Sequence, residues 1–109
     1  MSYLIEFDKI PWNEPITGMR YKTSTSGNQQ IRLIEFSEGF IEPDWCIKGH
    51  AGVVFDGACA IDFNGSLERY QKGDIIIIPE GEESKHKIVI ENGESVTLLE
   101  FGTSQISSL

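Results

Sequence analysis

No stretch of this chain reads as an amphipathic helix. Its apolar residues fall instead into short runs of strand formers, each cut off by a turn signal, which is the pattern of an all-β sandwich or barrel. Residues 3–7 alternate apolar and polar, residues 16–23 are rich in strand formers, and Ser24-Thr25-Ser26-Gly27-Asn28 reads as a loop. A strand over residues 30–36 is broken by Ser37-Glu38-Gly39, and another is expected around residues 44–48. Residues 53–55 and 58–63 follow, with Asp56-Gly57 between them and Asn64-Gly65 after them. Both dipeptides suit tight turns because they tolerate positive φ.

The second half continues in the same way. Residues 67–71 lead into a turn at Lys72-Gly73-Asp74. Ile75-Ile76-Ile77-Ile78 then predicts a strand buried on both faces or nearly so, stopped by Pro79. Residues 85–90 and 95–101 are expected to pair as a hairpin across Glu91-Asn92-Gly93-Glu94. The total is about nine or ten short strands, which a jelly-roll barrel of two antiparallel sheets accommodates in so short a chain. At 109 residues there is room for one domain, 1–109, and 39% apolar content is enough for one core. Helix content is expected to stay under about 10%.

Two spacings carry a resemblance. Gly73, Pro79 and Gly81 stand as Gly-x5-Pro-x-Gly, a glycine turn, five strand residues and a second turn. Upstream, Val53-Val54-Phe55-Asp56-Gly57 looks like a strand end and its turn. Together these resemble the two motifs of the cupin superfamily, over roughly residues 30–101. Anchored on Gly57, the first motif places His50 at the family's glutamate position, with Cys46 and Asp44 at its two histidine positions. Gly39 then lies one residue off the opening glycine. In the second motif Ser84 and Ile88 occupy the histidine and asparagine positions, and His86 lies two residues beyond Ser84. A different register would put His50 at the first histidine, leaving Gly52 and Asp56 for the others; the first keeps the Val-Val-Phe-Asp-Gly strand end in place.

The residues can be read without the family. Positions 44 and 46 share one face of a regular strand. His50 joins them if the strand runs on, although Lys48 would then also point inward unless Gly49 hosts a bulge. His86 would come from a distant strand. Asp44, Cys46, His50 and His86 make a donor set for a borderline divalent metal, Zn or Fe before Ni or Cu. The thiol argues against Mg and Ca. Against this stands a plainer reading of the same residues: Cys46 as a small buried hydrophobe, Asp44 after Pro43 as a turn residue, and His86 in a solvated loop. Arg20 and Lys22 share strand parity and either face an anionic ligand inside the barrel or lie outside in solvent. Trp45 is a candidate for the mouth of a ligand pocket, and Glu100 for a general base inside the barrel, with an exposed place on the last strand as the alternative.

Nine basic residues against 17 acidic give a net charge of −8. That balance disfavours nucleic acid and anionic membrane as partners. No apolar run approaches the roughly 20 residues of a spanning helix, and no secretory signal is visible, so a cytoplasmic location is expected. Cys46 and Cys59 are then expected as thiols rather than a disulfide. The resemblance implies a small cupin that binds a divalent metal in its barrel and acts on or senses a small molecule, the alternative being a metal-free binding module. Association to a homodimer is expected, with residues 3–7 pairing across subunits.

Overall fold

The computed structural model describes residues 3–103. Eight strands occur among them: β1 (Asn13–Ile16), β2 (Met19–Ser26), β3 (Gln29–Phe36), β4 (His50–Phe63), β5 (Ser66–Gln71), β6 (Ile75–Ile78), β7 (Lys87–Val89) and β8 (Val96–Thr103). Two three-residue 3-10 turns, Phe7–Lys9 and Glu82–Ser84, are the only helical segments described. All pairings are antiparallel. The first sheet runs β1-β2-β3-β8-β4-β6, and the second places β4 between β5 and β7.

Strand β4 belongs to both sheets. Its residues 50–57 pair with β6 and β8, and residues 58–63 with β5 and β7. The change of sheet occurs at a bulge: Val54 faces Leu98 and Asp56 faces Thr97, so Phe55 is the extra residue. Gly57 completes the bend with φ of 79°, and a Cβ there would lie 2.0 Å from the Ser95 carbonyl oxygen. Bulges of this kind bend a strand and increase its twist, which curls the two sheets around one core. Met19, Ile34, Phe36, Val54, Ile61, Ile78, Ile88, Ile90, Val96 and Leu98 fill it, drawn from both sheets.

Several sequence expectations are corrected here. Asp56-Gly57 is a bulge within one strand rather than a turn between two, because both halves find partners without reversing direction. Residues 3–7 form no strand and end in a 3-10 turn. The strand expected over residues 16–23 is divided by a turn at Thr17-Gly18, and residues 24–26 extend β2 instead of looping. Residues 44–48 make no strand; Cys46 forms a single bridge to His86. The four isoleucines are buried on one side only, with Ile75 and Ile77 each 82% exposed. Residues 87–89 and 96–103 do not pair as a hairpin but lie in different sheets, both against β4.

The N-terminal segment lies across the outer face of β2. Lys22 Nζ donates to the Phe7 carbonyl oxygen at 2.6 Å, and Trp12 stacks over Arg20 and Lys22 at 4.1 and 4.6 Å. Arg20 also pairs with Glu35 at 2.7 Å.

Gly57→Ala is expected to destabilise the fold by more than about 3 kcal/mol, since positive φ and the Ser95 contact act together. Urea unfolding measures it; a loss below about 1 kcal/mol would show that the bend tolerates a side chain.

Candidate metal centre

At one end of the barrel three polar side chains converge. Cys46 is carried in by the irregular segment before β4, held by reciprocal backbone hydrogen bonds with His86 of 2.8 and 3.0 Å. His50 opens β4 opposite Ile78. Alternation along β4 then sends His50, Gly52 and Val54 inward. The donor atoms of Cys46, His50 and His86 all lie within 4.8 Å of one another. Cys46 Sγ and His50 Nε2 are 3.5 Å apart, about the edge of a tetrahedral site with Zn–S near ~2.3 Å and Zn–N near ~2.0 Å. The His50 and His86 rings meet edge to face at 5.1 Å.

Each imidazole has a partner on its other nitrogen. His86 Nδ1 lies 2.9 Å from the Ser84 carbonyl oxygen; a carbonyl can only accept, so Nδ1 carries the hydrogen and Nε2 keeps a lone pair. His50 Nδ1 lies 3.4 Å from Glu100 Oε2. Such contacts fix ring orientation and tautomer at metal sites. The second oxygen, Glu100 Oε1, is buried and has no hydrogen-bond partner among the described residues. A thiol beside two imidazoles held in fixed orientation is a donor set that fits a borderline divalent ion.

Burial dominates the electrostatics. It holds the His50 imidazole down at about 4, helped by His86 and Arg32. It pushes Glu100 up to about 7, opposed by Arg32, which faces it across the β3–β8 pair, and reinforced by Glu42. Desolvation also raises the Cys46 thiol, against a hydrogen bond from the Lys48 backbone. Burial raises the Glu42 carboxyl, although its Oε1 accepts the Ile88 N–H at 3.0 Å. Burial thus drives both His50 and Glu100 toward their neutral forms.

Behind these groups lies a cavity of about 60 Å³, large enough for a few waters or a small ligand. Its walls are mostly apolar, including Ile61, Ile76, Ile78, Ile88 and Leu98, with Glu42, His50, His86 and Glu100 at the polar end.

Of the sequence candidates, the fold brings together Cys46, His50, His86 and Glu100. Asp44 is exposed and lies outside the cluster, because the backbone at residues 44–48 does not alternate as a strand. Lys48 is exposed for the same reason. Arg20 and Lys22 lie on the outer face under Trp12, so neither lines the cavity. Trp45 flanks an outer groove, stacked near Lys85 and Lys87 at 5.5 and 4.7 Å. Sequence reasoning missed Arg32 and Glu42. Arg32 shares parity with inward Ile34 and Phe36, but Ile31 and Leu33 are apolar too, so the pattern did not mark the inner face. Glu42 stands in an irregular segment with no period to read. Cys46 and Cys59 are thiols, as expected.

Solved structures place this architecture. The chain is similar to the polyketide cyclase RemF from Streptomyces resistomycificus, with a TM-score of 0.82 and 16% identity over 96% of this chain and 81% of that one. An RmlC-like cupin from Shewanella frigidimarina matches with a TM-score of 0.76 and 14% identity, over 98% of this chain and 95% of that one. A cupin-superfamily sugar phosphate isomerase from Silicibacter pomeroyi matches at 0.76 and 15%, over 94% of this chain and 76% of that one. No protein-family model and no curated protein sequence matches the chain. The architecture is an all-β jelly roll of curled antiparallel sheets. It is the cupin fold.

The raised Glu100 carboxyl leaves a signature in metal-free protein. Its folded form keeps a proton that the unfolded chain gives up near pH 4.5, so its contribution to stability is full below that pH and is lost as pH rises through about 7. Glu100→Gln cannot titrate. Its stability relative to wild type should therefore climb by up to roughly 3 kcal/mol across that window. A difference that stays flat in thermal melts from pH 4.5 to 7.5 would mean that Glu100 ionises like a solvated carboxylate.

Proposed function

We propose that this protein is a small cupin that binds a divalent metal through Cys46, His50 and His86 and acts on or senses a small molecule in the adjoining cavity. The observation that carries the reading is the convergence of a thiol and two oriented imidazoles within 4.8 Å, both imidazoles lining an apolar cavity. Two of the similar solved structures are a cyclase and an isomerase, which supports a role on small molecules. The reading has the protein in the cytoplasm, where the thiol stays reduced, and working as a homodimer without nucleic acid or membrane. No described helix is long and apolar enough to cross a membrane.

A bound ion would supply Lewis acidity, Zn or Fe suiting the mixed sulfur and nitrogen donors best. The chain's own groups do the rest. Glu100 Oε2 holds the His50 ring through Nδ1, so that Nε2 faces Cys46. The Ser84 carbonyl holds the His86 ring in the same way. Glu100 Oε1 is the group able to take or give a proton near neutral pH, since burial has moved its carboxyl to about 7. The isoleucine walls exclude water and leave space for the apolar part of a ligand.

A second reading has one observation in its favour. Burial raises the Cys46 thiol, and a protonated thiol is a poor ligand. The cavity would then serve a small ligand without metal.

Titration with Co²⁺ separates the two. Metal binding through Cys46 gives a sulfur-to-cobalt charge-transfer band in the near ultraviolet, with about one proton released and an affinity that rises with pH through neutrality. Cys46→Ala should remove the band and weaken binding by more than about 100-fold. His50 stays neutral down to about pH 4, so it does not trigger release in mild acid. Wild-type protein that takes up neither Co²⁺ nor Zn²⁺ would put the metal-free module first.

A further inference from the structure

The cavity beside the metal centre combines two properties that together narrow what can enter it. Its side walls are apolar: Ile34, Ile61, Ile76, Ile78, Ile88 and Leu98 help to enclose about 60 Å³. Its polar groups are two imidazoles, His50 and His86, and two carboxyls, Glu42 and Glu100. No lysine or arginine among the described residues lines it. Arg20 and Lys22 are committed on the outside of β2, to Glu35 and to the Phe7 carbonyl. Arg32 is buried, but it stands opposite Glu100 in the register, over the Tyr21 ring at 4.6 Å, and is no part of the wall.

An anion entering this space would exchange water for hydrocarbon and two carboxyls. Removing a carboxylate or phosphate from water is costly unless a buried partner of opposite charge receives it. The imidazoles offer no such charge when they hold a metal, since the metal takes the lone pair of a neutral ring. The ion itself supplies little, because its charge is met by the Cys46 thiolate and by whichever of the two carboxyls is ionised. A cation fares no better, because the metal stands beside the same carboxyls. Size sets the second limit. A cavity of about 150 Å³ holds a benzene ring, so about 60 Å³ holds about two or three carbons.

We infer that the ligand of this cavity is a small uncharged carbonyl or hydroxy compound of about three carbons, and that Glu42 and Glu100 keep carboxylates and phosphates out. The inference rests on the reading of the cavity as a ligand site and names the class of molecule that site takes. Cys46, His50 and His86 leave a tetrahedral ion one open position. An uncharged oxygen fills that position without adding charge, and the carbons behind it lie against the isoleucines. Glu42 is suited to exclusion because it is held in place. Its Oε1 accepts the Ile88 N–H at 3.0 Å, so the carboxyl does not swing aside to admit an anion. Ile76, opposite Gly52 on β6 and only partly buried, is the wall residue that limits length at least cost to the core.

Saturation-transfer NMR on zinc-loaded protein tests this with two probes of one shape, propanamide and propanoate. Propanamide is expected to bind at least about tenfold more tightly than propanoate or propylammonium. Glu42→Gln keeps an oxygen for the Ile88 N–H, so it should leave propanamide unchanged and strengthen propanoate at least about threefold. Ile76→Ala trims the wall and should move the preference from propanamide toward hexanamide by at least about tenfold. Unchanged circular dichroism would show that both variants fold. Propanoate or propylammonium that binds as tightly as propanamide overturns the charge rule, and so does a propanoate affinity unmoved in Glu42→Gln. Hexanamide preferred by the wild type overturns the size limit. The metal is scored apart, by the Co²⁺ band. Protein that shows the band and takes up none of the probes overturns this inference and leaves the metal reading standing. Protein that lacks the band yet prefers the amide without zinc supports the inference and overturns the metal reading.

Discussion

One strand serves four neighbours, and the rest of the barrel depends on it. Strand β4 gives its first half to β6 and β8 and its second half to β5 and β7. A straight strand of 14 residues would hold its neighbours in one flat layer and leave their apolar sides facing solvent. The extra residue Phe55 and the left-handed backbone at Gly57 turn it, so that Val54 and Ile61 reach one core from two sheets. A backbone device of two residues thereby decides where the side chains of five strands end up.

The same device determines where polar groups are buried. His50 opens β4 on the inward face, and the sheet places Glu100 within 3.4 Å of it. Neither group is solvated, and each is driven toward its neutral form. A carboxyl and an imidazole in an apolar barrel weaken the fold unless they are paired, and Glu100 Oε1 has no hydrogen-bond partner among the described residues. Polar groups retained at such a cost are what a binding site requires. Glu42 shows the contrast: its carboxylate accepts the Ile88 backbone N–H and closes off the segment leading to Cys46.

How much of this was legible in the sequence depended on how local the deciding interaction was. The turn at Asn64-Gly65 was readable because both residues adopt positive φ, 55° and 103°. The spacing of Gly57, His50 and Cys46 was readable because motif distances along a chain survive folding. Asp44 was assigned to the same face on strand parity, and parity does not apply where no strand forms. Asp56-Gly57 has the same chemistry in a bulge as in a turn, so only the partner strands distinguish the two. Four isoleucines in a row give no period at all, and their one-sided burial depends on what covers the outer sheet. The pairing of residues 87–89 and 96–103 with β4 rather than with each other is set by the sheet switch, tens of residues upstream.

Strand β8 lies between β3 and β4, although its first residue, Val96, comes long after their last, Phe36 and Phe63. Hairpins such as β2–β3 and β4–β5 can form as soon as they are synthesised. Strands β1, β2 and β3 are joined to β4 only when β8 arrives. Until it has left the ribosome, β3 and the first half of β4 each present an unpaired edge, the kind of edge that invites pairing with another chain. Protein emerging from the ribosome must therefore wait for its last described strand before the barrel can close, and the interval depends on the rate of translation as well as on the chemistry of folding.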